Sequence, residues 1–375
     1  MTKFAGMWIC GLMVSACAAT GDPMDPVETS TQTSASQSYS PMGFVRVTSS
    51  GTAAGGSFNS SGGGIGLTHT STGNYSVTFN GLGATTGHDG EGGNVQLTAE
   101  TTTNHKCRVN GWGGAPNVAI GVLCTDVNGV ASDTGFAVQF YRYTMPATTN
   151  TFPPSIAYSW ITASGAVSPF WDYNSTGSHN TVTHTSTGFY TLNIPSATVV
   201  NVSIMVSPYG GAAGNVCSVS GWGAGSVSVQ CRNAANAPVD NAFDISYAWS
   251  GPTLDQQGGH AWFDGTGANA SYSSAMGKIE GCPAASVTGS LASALVTLRV
   301  TGDLGSWDAS PFNRASFGTL YGGGGYCNIQ SEFATGTAPS STGTTIFQCF
   351  DPAGNVIAHP MMTFTHVTSD AAGPC

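Results

Sequence analysis

The sequence predicts an all-β fold of three tandem immunoglobulin-like β-sandwich repeats, each with a disulfide inside one hairpin. The first observation is a cysteine-bounded hairpin that occurs three times along the 375-residue chain. The second is its period, because the second cysteines of the copies lie 107 and 118 residues apart, which is the size of one sandwich domain. The third is the near absence of helical periodicity beside many short alternating runs bounded by turn residues.

The three hairpins share a cysteine pair and, in two copies, a tryptophan at a fixed offset. Repeats 1 and 2 begin the hairpin with Cys-x-x-x-Gly-Trp-Gly, which places Trp112 and Trp222 five residues after the first cysteine, whereas repeat 3 has Glu332 there. A polar turn and an alternating strand follow the second cysteine in each copy, and these strands cover residues 136–143, 243–249 and 361–367. This regularity indicates that each copy builds the same module.

Further strand signals precede each hairpin. The turn motif that ends at Gly73 returns, with the same His-Thr-Ser-Thr-Gly sequence, at Gly188 and more weakly at residues 273–279. In repeat 1 the pattern predicts seven short strands, at residues 43–48, 65–70, 74–79, 93–99, 106–111, 118–124 and 136–143. In repeat 3 we expect an insertion over residues 281–313, in which the β-branched run at 292–300 forms one strand.

The cysteine count predicts a disulfide framework. Ten cysteines are present, and eight remain once Cys10 leaves with an export signal and Cys17 serves as a lipid acceptor. An even number in an exported chain is typical of disulfide bonding. The repeat predicts the pairs Cys107–Cys124, Cys217–Cys231 and Cys327–Cys349, which leaves Cys282 and Cys375 to join within repeat 3. No Cys-x-x-Cys spacing supports a structural metal instead.

The amino terminus has the pattern of an export signal. Lys3 precedes an eleven-residue apolar run, which is too short to span a bilayer. The tetrapeptide Val14-Ser-Ala-Cys17 that follows resembles the lipobox of bacterial lipoproteins, and the resemblance implies that Cys17 is lipidated. Ala16-Cys17-Ala18 also fits an ordinary signal peptidase site, which would release a soluble protein after Ala18.

These signals divide the chain into five segments. A tether rich in Ser, Thr, Asp and Pro separates the signal from the first repeat. The expected boundaries are residues 1–17 for the signal, 18–42 for the tether, 43–149 for repeat 1, 150–256 for repeat 2 and 257–375 for repeat 3. No later stretch is long and apolar enough for a membrane helix, so we expect membrane attachment only through a lipid.

Composition excludes two classes of partner. Only nine residues are Lys or Arg, they form no cluster, and the net charge is −10. Nucleic acid and anionic membrane surfaces both require a basic footprint, so neither is an expected partner. The Ser-, Thr-, Asn- and Gly-rich sequence suits an exported protein that contacts a polysaccharide or another cell-surface protein, and we expect no cofactor.

Two side-chain sets are candidate binding residues. Trp112 and Trp222 either stack on a pyranose ring or pack over their own disulfide or across the sandwich. Asp89, Glu91 and Asn94 offer three oxygen ligands on a Gly-rich loop that calcium would accept, although calcium takes six to eight. The same loop is equally well explained as a polar hairpin turn.

Other polar residues are expected to have structural roles. His69 and His184 occupy matching turn positions, where we expect their rings to hydrogen-bond nearby backbone. The acids that flank the turns after the second cysteines are expected to stabilise those turns, and they are Asp126, Asp133, Asp240 and Asp244.

The sequence contains no catalytic signature such as Gly-x-Ser-x-Gly or His-Glu-x-x-His. Its signal, tether and stapled repeats resemble secreted tandem-repeat β proteins of bacteria, and the resemblance implies no particular activity. We therefore expect a non-catalytic cell-surface or secreted protein that binds a polysaccharide or protein, with adhesion as the outcome. The alternatives are a structural envelope component without a ligand, and a hydrolase with a site around Asp303, Asp308, His359 and His366 in repeat 3.

Overall fold

A computed structural model describes most of the repeat region, which belongs to one compact unit covering Tyr39–Cys375. The described residues are 41–143, 156–197, 202–249, 258–268, 274–276, 286–302, 314–335 and 341–368. The signal and tether, Cys17, the expected Cys282–Cys375 pair, Asp303 and Asp308 lie outside them.

The all-β prediction is confirmed, and each repeat contributes eight strands. Repeat 1 contains β1 (Met42–Val47), β2 (Ala53–Asn59), β3 (Ile65–Ser71), β4 (Asn74–Phe79), β5 (Asn94–Glu100), β6 (Lys106–Gly113), β7 (Val118–Thr125) and β8 (Gly135–Tyr141). Repeat 2 contains β9 (Ile156–Ile161), β10 (Val167–Asn174), β11 (Thr181–Ser186), β12 (Phe189–Asn193), β13 (Val202–Tyr209), β14 (Val216–Gly223), β15 (Ser226–Arg232) and β16 (Ala242–Trp249). Repeat 3 contains β17 (Gly258–Phe263), β18 (Ser274–Met276), β19 (Ser286–Ala292), β20 (Leu295–Gly302), β21 (Arg314–Tyr321), β22 (Tyr326–Thr335), β23 (Ser341–Phe350) and β24 (Met361–Thr368).

The strands form three eight-stranded sheets, and each sheet takes four strands from one repeat and four from another. The strand orders are β19-β20-β23-β22-β5-β8-β1-β2, β10-β9-β16-β13-β6-β7-β4-β3 and β11-β12-β15-β14-β21-β24-β17-β18. Each repeat is therefore a sandwich of two four-stranded halves, and each half continues into the sheet of a neighbour. The three sandwiches are therefore not separate domains joined only by linkers. The sequence alone did not indicate that they share sheets.

Neighbouring repeats meet at parallel strand pairs, whereas all other pairs between strands are antiparallel. Each parallel pair has one registered bridge, and the three bridges are Val109 to Tyr209, Val219 to Tyr321 and Ile329 to Glu100. We call these junction 1/2, junction 2/3 and junction 3/1 after the repeats that they join. The third junction links repeat 3 back to repeat 1, so the three repeats close on themselves.

The apolar core follows this organisation. One cluster lies between the two halves of repeat 1 and a second lies between the halves of repeat 2. The largest cluster combines the interior of repeat 3 with residues of the other repeats, including Phe44 of β1 and Met205 of β13. Alternation along the strands explains this packing, because Tyr75, Val77 and Phe79 of β4 are buried while the residues between them are half-buried.

The three predicted hairpin disulfides are confirmed. Each joins directly opposite residues of an antiparallel pair, with 4.0 Å between the two Cα atoms in all three bridges. The positions Cys107, Cys217 and Cys327 face Cys124, Cys231 and Cys349. Because the bridge spans one hairpin, it fixes the register of β6 on β7 and of the equivalent pairs.

Two predictions about strands were incomplete. The sequence reading of repeat 1 missed β2, whose Ala-Ala-Gly-Gly-Ser-Phe-Asn sequence lacks β-branched residues. In repeat 3 the expected strand at 292–300 is present from Leu295 as part of β20, but its first residues form the turn that joins β19 to β20, where Ser293 and Ala294 have φ angles of 51° and 62°. This hairpin is the counterpart of β3–β4, so residues 286–302 belong to the repeat rather than to an insertion, and the strand Ser274–Met276 is the counterpart of β2 rather than of the Gly73 turn.

Candidate functional site

The most distinctive side chains lie at the three junctions. Each junction has three positions that are equivalent to those of the other junctions, and the registers of the parallel bridges and the strand pairing define them. One position lies five residues after the first hairpin cysteine, a second on the strand that forms the parallel bridge, and a third on the first strand of a repeat. At junctions 1/2 and 2/3 all three positions hold aromatic residues. At junction 3/1 all three hold charged residues.

Junction 1/2 is closed by Trp112 of repeat 1 with Trp160 and Tyr209 of repeat 2. The Tyr209 ring is edge-on to both indoles, with ring centroids 5.3 Å from Trp112 and 5.4 Å from Trp160. The Trp112 indole nitrogen also donates a 2.8 Å hydrogen bond to the carbonyl oxygen of Gly92. The predicted alternatives for Trp112 were a sugar platform, packing over its own disulfide and packing across the sandwich, and the ring lies against the apolar core of repeat 1 and against Tyr209 of the neighbouring repeat.

Junction 2/3 repeats this arrangement with Trp222, Trp262 and Tyr321. The three rings are mutually edge-on, with centroid separations of 4.7 to 5.1 Å. Trp222 and Tyr321 both contact the buried cluster of repeat 2, so the aromatic set extends that core to the junction. Edge-to-face pairs of this kind contribute about 0.5–1.5 kcal/mol beyond their buried area.

Junction 3/1 replaces the aromatic set with Arg46, Glu100 and Glu332. The Arg46 guanidinium bonds both carboxylate oxygens of Glu100, through Nε at 3.0 Å and through Nη2. The same Nε lies 3.5 Å from Oε2 of Glu332, whose side chain is fully buried. One arginine therefore bridges two carboxylates, one from repeat 1 and one from repeat 3.

Three further residues of repeat 3 surround the Glu332 carboxylate. Its Oε1 accepts a 2.8 Å hydrogen bond from Ser316 Oγ and lies 3.4 Å from His366 Nδ1 and 3.6 Å from Arg314 Nε. Burial alone would raise the pKa of Glu332, but the His366 hydrogen bond and the charges of His366, Arg46 and Arg314 outweigh it and hold that pKa below its usual range. The carboxylate is therefore ionised at neutral pH.

Ser316, His366 and Glu332 are the residue types of a hydrolytic triad, yet their geometry is not that of one. A triad uses Nε2 of the histidine for the serine and Nδ1 for the acid. Here the same Nδ1 lies 2.8 Å from Ser316 Oγ and 3.4 Å from Glu332. Ser316 and His366 are also buried at 0% and 1% exposure, and His359, the other described residue of the predicted hydrolase site, is exposed on the β23–β24 connection.

A ring of hydroxyl groups joins the repeats where β5, β13 and β21 pack together. Thr98, Ser207 and Thr319 occupy equivalent positions and are all buried. Each accepts a hydrogen bond from a backbone amide of another repeat, from Gly318 to Thr98 at 3.2 Å, from Leu97 to Ser207 at 2.9 Å and from Val206 to Thr319 at 3.1 Å. Because the parallel pairs have one bridge each, these amides need the hydroxyls as acceptors.

Next to this ring lies a cavity of about 40 Å³, lined by all three repeats. The first cysteine of every hairpin and Lys106 contribute to its wall. Lys106 Nζ donates to Gly214 O of repeat 2 at 2.8 Å and to Pro352 O of repeat 3 at 3.2 Å. Burial lowers the pKa of Lys106 to about 8, although the charges of Asp126 and Asp351 oppose the shift.

The structure does not bring the predicted calcium ligands together. Both carboxylate oxygens of Glu91 accept hydrogen bonds from the amides of the 85–88 loop, and Arg142 Nη1 lies 3.2 Å away. Asn94 points elsewhere and donates a 2.6 Å hydrogen bond to Asp244. Asp89 lies 3.5 Å from His179 Nε2. Among the described residues, no group of three or more His, Cys, Asp and Glu side chains could hold a metal ion.

The two equivalent histidines have the expected structural role but a different partner. His69 Nε2 lies 2.9 Å from Asp133 Oδ1, and His184 Nε2 lies 2.8 Å from Asp240 Oδ1. The same carboxylate oxygens accept the backbone amides of Gly73 and Gly188, and each imidazole stacks on a tyrosine at 4.7 Å. Carboxylates rather than backbone groups therefore fix both rings.

The predicted turn role of the aspartates holds for Asp126 and is wrong for Asp244. Asp126 Oδ1 accepts the amides of Asn128 and Val130 inside its own turn. Asp244 lies within β16, where it accepts the Val95 amide of repeat 1 at 2.6 Å as well as the Asn94 side chain. Burial raises its pKa well above the usual range.

The outer face of each repeat is the remaining candidate surface. On β3, β4 and β7 the outward residues form rows such as Thr68–Ser76–Gly121, and on β11, β12 and β15 the equivalent row is Thr183–Thr191–Ser228. Among the outward residues of these six strands, only Arg232 at the end of β15 is charged. The face of repeat 3 differs, because β20 places Arg299 outward and β22 places Phe333 there.

Comparison with known proteins found no matching family model, no matching curated protein and no matching solved structure. In the described part of the chain, no helix is long and apolar enough to cross a membrane. The three disulfides indicate a non-cytoplasmic protein, because such bonds persist in oxidising compartments. The chain is thus an all-β, disulfide-stapled protein of three sandwich repeats.

Proposed function

We propose that this protein is an exported, non-catalytic surface protein that binds a neutral polysaccharide through the outer faces of its repeats. The supporting observation is the surface of β3-β4-β7 and of β11-β12-β15, which is rich in Ser, Thr, Asn and Gly and has Arg232 as its only outward charge. Hydroxyl and amide side chains on a flat sheet can exchange hydrogen bonds with sugar hydroxyls without favouring a charged ligand. The disulfide framework supports export.

The closed arrangement of the three repeats determines how the protein could bind one polysaccharide through several faces. Because the sheets continue from one repeat to the next, the outer faces have a fixed spacing. They cannot move relative to one another as domains on flexible linkers can. A repetitive polymer could engage more than one face, and the gain in affinity would then depend on geometry rather than on linker length.

Binding to a panel of neutral polysaccharides, measured with purified protein, tests this proposal. The variant Thr183→Lys with Ser228→Lys changes one row of the repeat 2 face, and we expect it to weaken binding. The matched control, Val130→Lys with Ala353→Lys, adds the same charge at exposed turn positions. Equal loss in both variants, or no binding by the unaltered protein to any member of the panel, would contradict the proposal.

We also propose that a lipid on Cys17 holds the protein at the cell surface. The Val14–Cys17 lipobox resemblance and the polar tether support this anchor. The intact mass of the protein isolated from its native membrane would include two or three acyl chains on Cys17. A mass that corresponds to cleavage after Ala18 would instead establish a freely secreted protein.

A structural envelope role is the second candidate, and the sheet edges favour it. Each of the three sheets has an edge strand at either end, and among the described residues the β11 edge pairs only with β12 and is mostly exposed along its length. Such edges can pair with another chain. Analytical ultracentrifugation that shows a monomer at high protein concentration would count against self-association through these edges.

A further inference from the structure

The imidazole of His179, on the β10–β11 connection of repeat 2, lies between two carboxylates from different repeats. Its Nδ1 lies 3.0 Å from Oδ2 of Asp172 in β10. Its Nε2 lies 3.5 Å from Oδ2 of Asp89, which belongs to the β4–β5 connection of repeat 1. Asp172 is fully buried, whereas His179 and Asp89 are each about half exposed. The three side chains therefore form a line from the interior of repeat 2 to solvent.

The contacts of Asp172 determine which ring nitrogen of His179 carries the proton. Ser159 Oγ donates to Oδ1 of Asp172 at 2.6 Å, and the side-chain amide of Asn180 donates to the same oxygen at 2.7 Å. The backbone amide of Asn180 donates to Oδ2 at 3.1 Å. Because a carboxylate can only accept, Nδ1 of His179 is the donor in the fourth contact. In the neutral ring the lone pair is then on Nε2, the atom that lies beside Asp89.

Nε2 of the neutral His179 ring and the Asp89 carboxylate are both acceptors, so they repel each other unless a cation lies between them. That cation is either a proton on the ring or a metal ion, and the distance favours the metal ion. Zinc binds imidazole nitrogen and carboxylate oxygen at about 2.0–2.2 Å in a tetrahedron, in which the ligand atoms are about 3.3–3.6 Å apart. The observed 3.5 Å lies in this range. Square-planar coordination would bring two such ligands to about 2.8–3.1 Å.

Two further histidine–aspartate pairs of the same chain provide an internal comparison. His69 Nε2 lies 2.9 Å from Oδ1 of Asp133, and this is the length of a direct hydrogen bond. His184 Nε2 lies 2.8 Å from Oδ1 of Asp240. Within the described residues, neither of these imidazoles contacts a second carboxylate. Of the three pairs, the His179 pair alone combines the longer separation with a buried carboxylate behind the ring.

The backbone that carries Asp89 is bonded to repeat 2 through the residue that follows it. The Gly90 amide donates to Pro169 O of β10 at 2.9 Å, and Gly90 O accepts a 2.6 Å hydrogen bond from the Tyr158 hydroxyl of β9. These bonds keep Asp89 beside His179 before any ion binds. Because the ligands need little ordering, less of the binding free energy is spent on closing the loop.

We propose that His179 and Asp89 bind one zinc ion between repeats 1 and 2, with Asp172 as the positioning residue behind the imidazole. Nε2 of His179 and Oδ2 of Asp89 are the two protein ligands, and water completes the tetrahedron on the solvent side. A carboxylate behind a ligating histidine fixes its tautomer and raises its basicity. Calcium and magnesium take mainly oxygen ligands, so the imidazole disfavours both. The site uses no residue of the proposed polysaccharide-binding faces.

Calorimetric titration of zinc chloride into the metal-free, full-length protein at neutral pH tests the proposal. We expect one saturable site per chain, and Asp89→Asn or His179→Ala should weaken it by more than about tenfold. Both side chains are half exposed, so neither substitution should prevent folding. His69→Ala is the matched control, because it removes the imidazole of a directly bonded pair, and it should leave the zinc affinity unchanged. The absence of a saturable site, or an affinity that survives either ligand substitution, would overturn the proposal.

Asp172→Asn tests the positioning residue. We expect the zinc affinity to fall by about 10–100-fold. NMR of the His179 ring nitrogens in the metal-free protein gives a readout that a purely structural role would not change. The neutral ring should hold its proton on Nδ1 in the unaltered protein and should become a mixture of tautomers in the variant. A ring that keeps protons on both nitrogens when zinc is added would show that a proton joins His179 to Asp89, and this result would contradict the proposal even if the Asp172 variant did not fold.

Discussion

Glu332 lies at the position in repeat 3 that Trp112 holds in repeat 1. Both follow the first hairpin cysteine by five residues, and both pair with the residue four places before the second cysteine, Thr345 and Ile120 respectively. The substitution changes the partners as well, since Tyr209 stands against Trp112 while Arg46 stands against Glu332. One of three similar junctions is thus ionic, and it is the one that closes the fold.

We expect the acid stability of the protein to depend on Glu332. Its pKa in the folded state is held below its unfolded value, so the stabilisation is present above the unfolded pKa and is lost as pH falls through the folded pKa. Urea denaturation at a series of pH values should therefore show stability declining below about pH 4.

Glu332→Gln should cost about 3 kcal/mol at neutral pH, because it leaves Arg46 and Arg314 with less counter-charge. It should also flatten the acid limb of the stability profile. Asp133→Asn, at an exposed ion pair, is the control and should change neutral stability far less. A Glu332→Gln protein with the original acid limb would show that other carboxylates govern it.

The stability of the protein at alkaline pH should depend on Lys106. The pKa of Lys106 is about 8 in the folded protein, against 10.5 for an ordinary lysine. Between these two pH values the unfolded chain therefore holds the lysine proton more tightly than the folded protein does. Stability should then rise with pH between these values, by on the order of 1 kcal/mol per pH unit. Urea titrations between pH 7.5 and about 9.5 measure the slope, and Lys106→Met should remove it. Parallel profiles for the two proteins would refute the role of this amine.

The hydroxyl ring should respond to loss of any of its members. Replacement of Thr98 or Thr319 by Val keeps the shape but leaves the Gly318 or Val206 amide without its acceptor, at a cost of about 1–3 kcal/mol each. Thr78→Val on the outer face is the matched control and should be nearly neutral. The free energy of unfolding, obtained from urea curves, distinguishes the two outcomes.

The hairpin disulfides should each contribute to stability independently. Joint replacement of Cys217 and Cys231 by Ala removes a bridge that closes 14 residues, and the expected loss is about 3 kcal/mol. Denaturation of this variant beside the unaltered protein, both without reductant, measures it. A loss below about 1 kcal/mol would mean that the short hairpin already restrains the unfolded chain.

Sequence patterns were sufficient to predict those features of the structure that depend on residues close together in the chain. The cysteine hairpins, the Trp112 and Trp222 equivalence and the departure at Glu332 all follow from short motifs that recur at a fixed spacing. Strand pairing inside a hairpin is local too, so the disulfide partners could be predicted. These features account for the modules of the fold and for one member of the ionic junction.

The way the repeats combine could not be predicted, because the residues that join them are distant in sequence and have no shared motif. Arg46 and Glu100 are ordinary charged residues of β1 and β5 until the parallel bridge places Glu332 beside them. The β19–β20 turn was missed for another reason. Ser293 and Ala294 adopt positive φ, although Gly or Asn usually occupies such positions and allows the turn to be predicted.

The cyclic pattern of amide-to-hydroxyl bonds also restricts how this architecture can change over time. In an open solenoid a unit can be gained or lost, since each one contacts only its predecessor and successor. Here Gly318 donates to Thr98, Leu97 to Ser207 and Val206 to Thr319, so deleting one repeat would leave an amide without its acceptor in one remaining repeat and a hydroxyl without its donor in the other. A family with this plan should conserve triplicate organisation and diversify through its loops and outward rows.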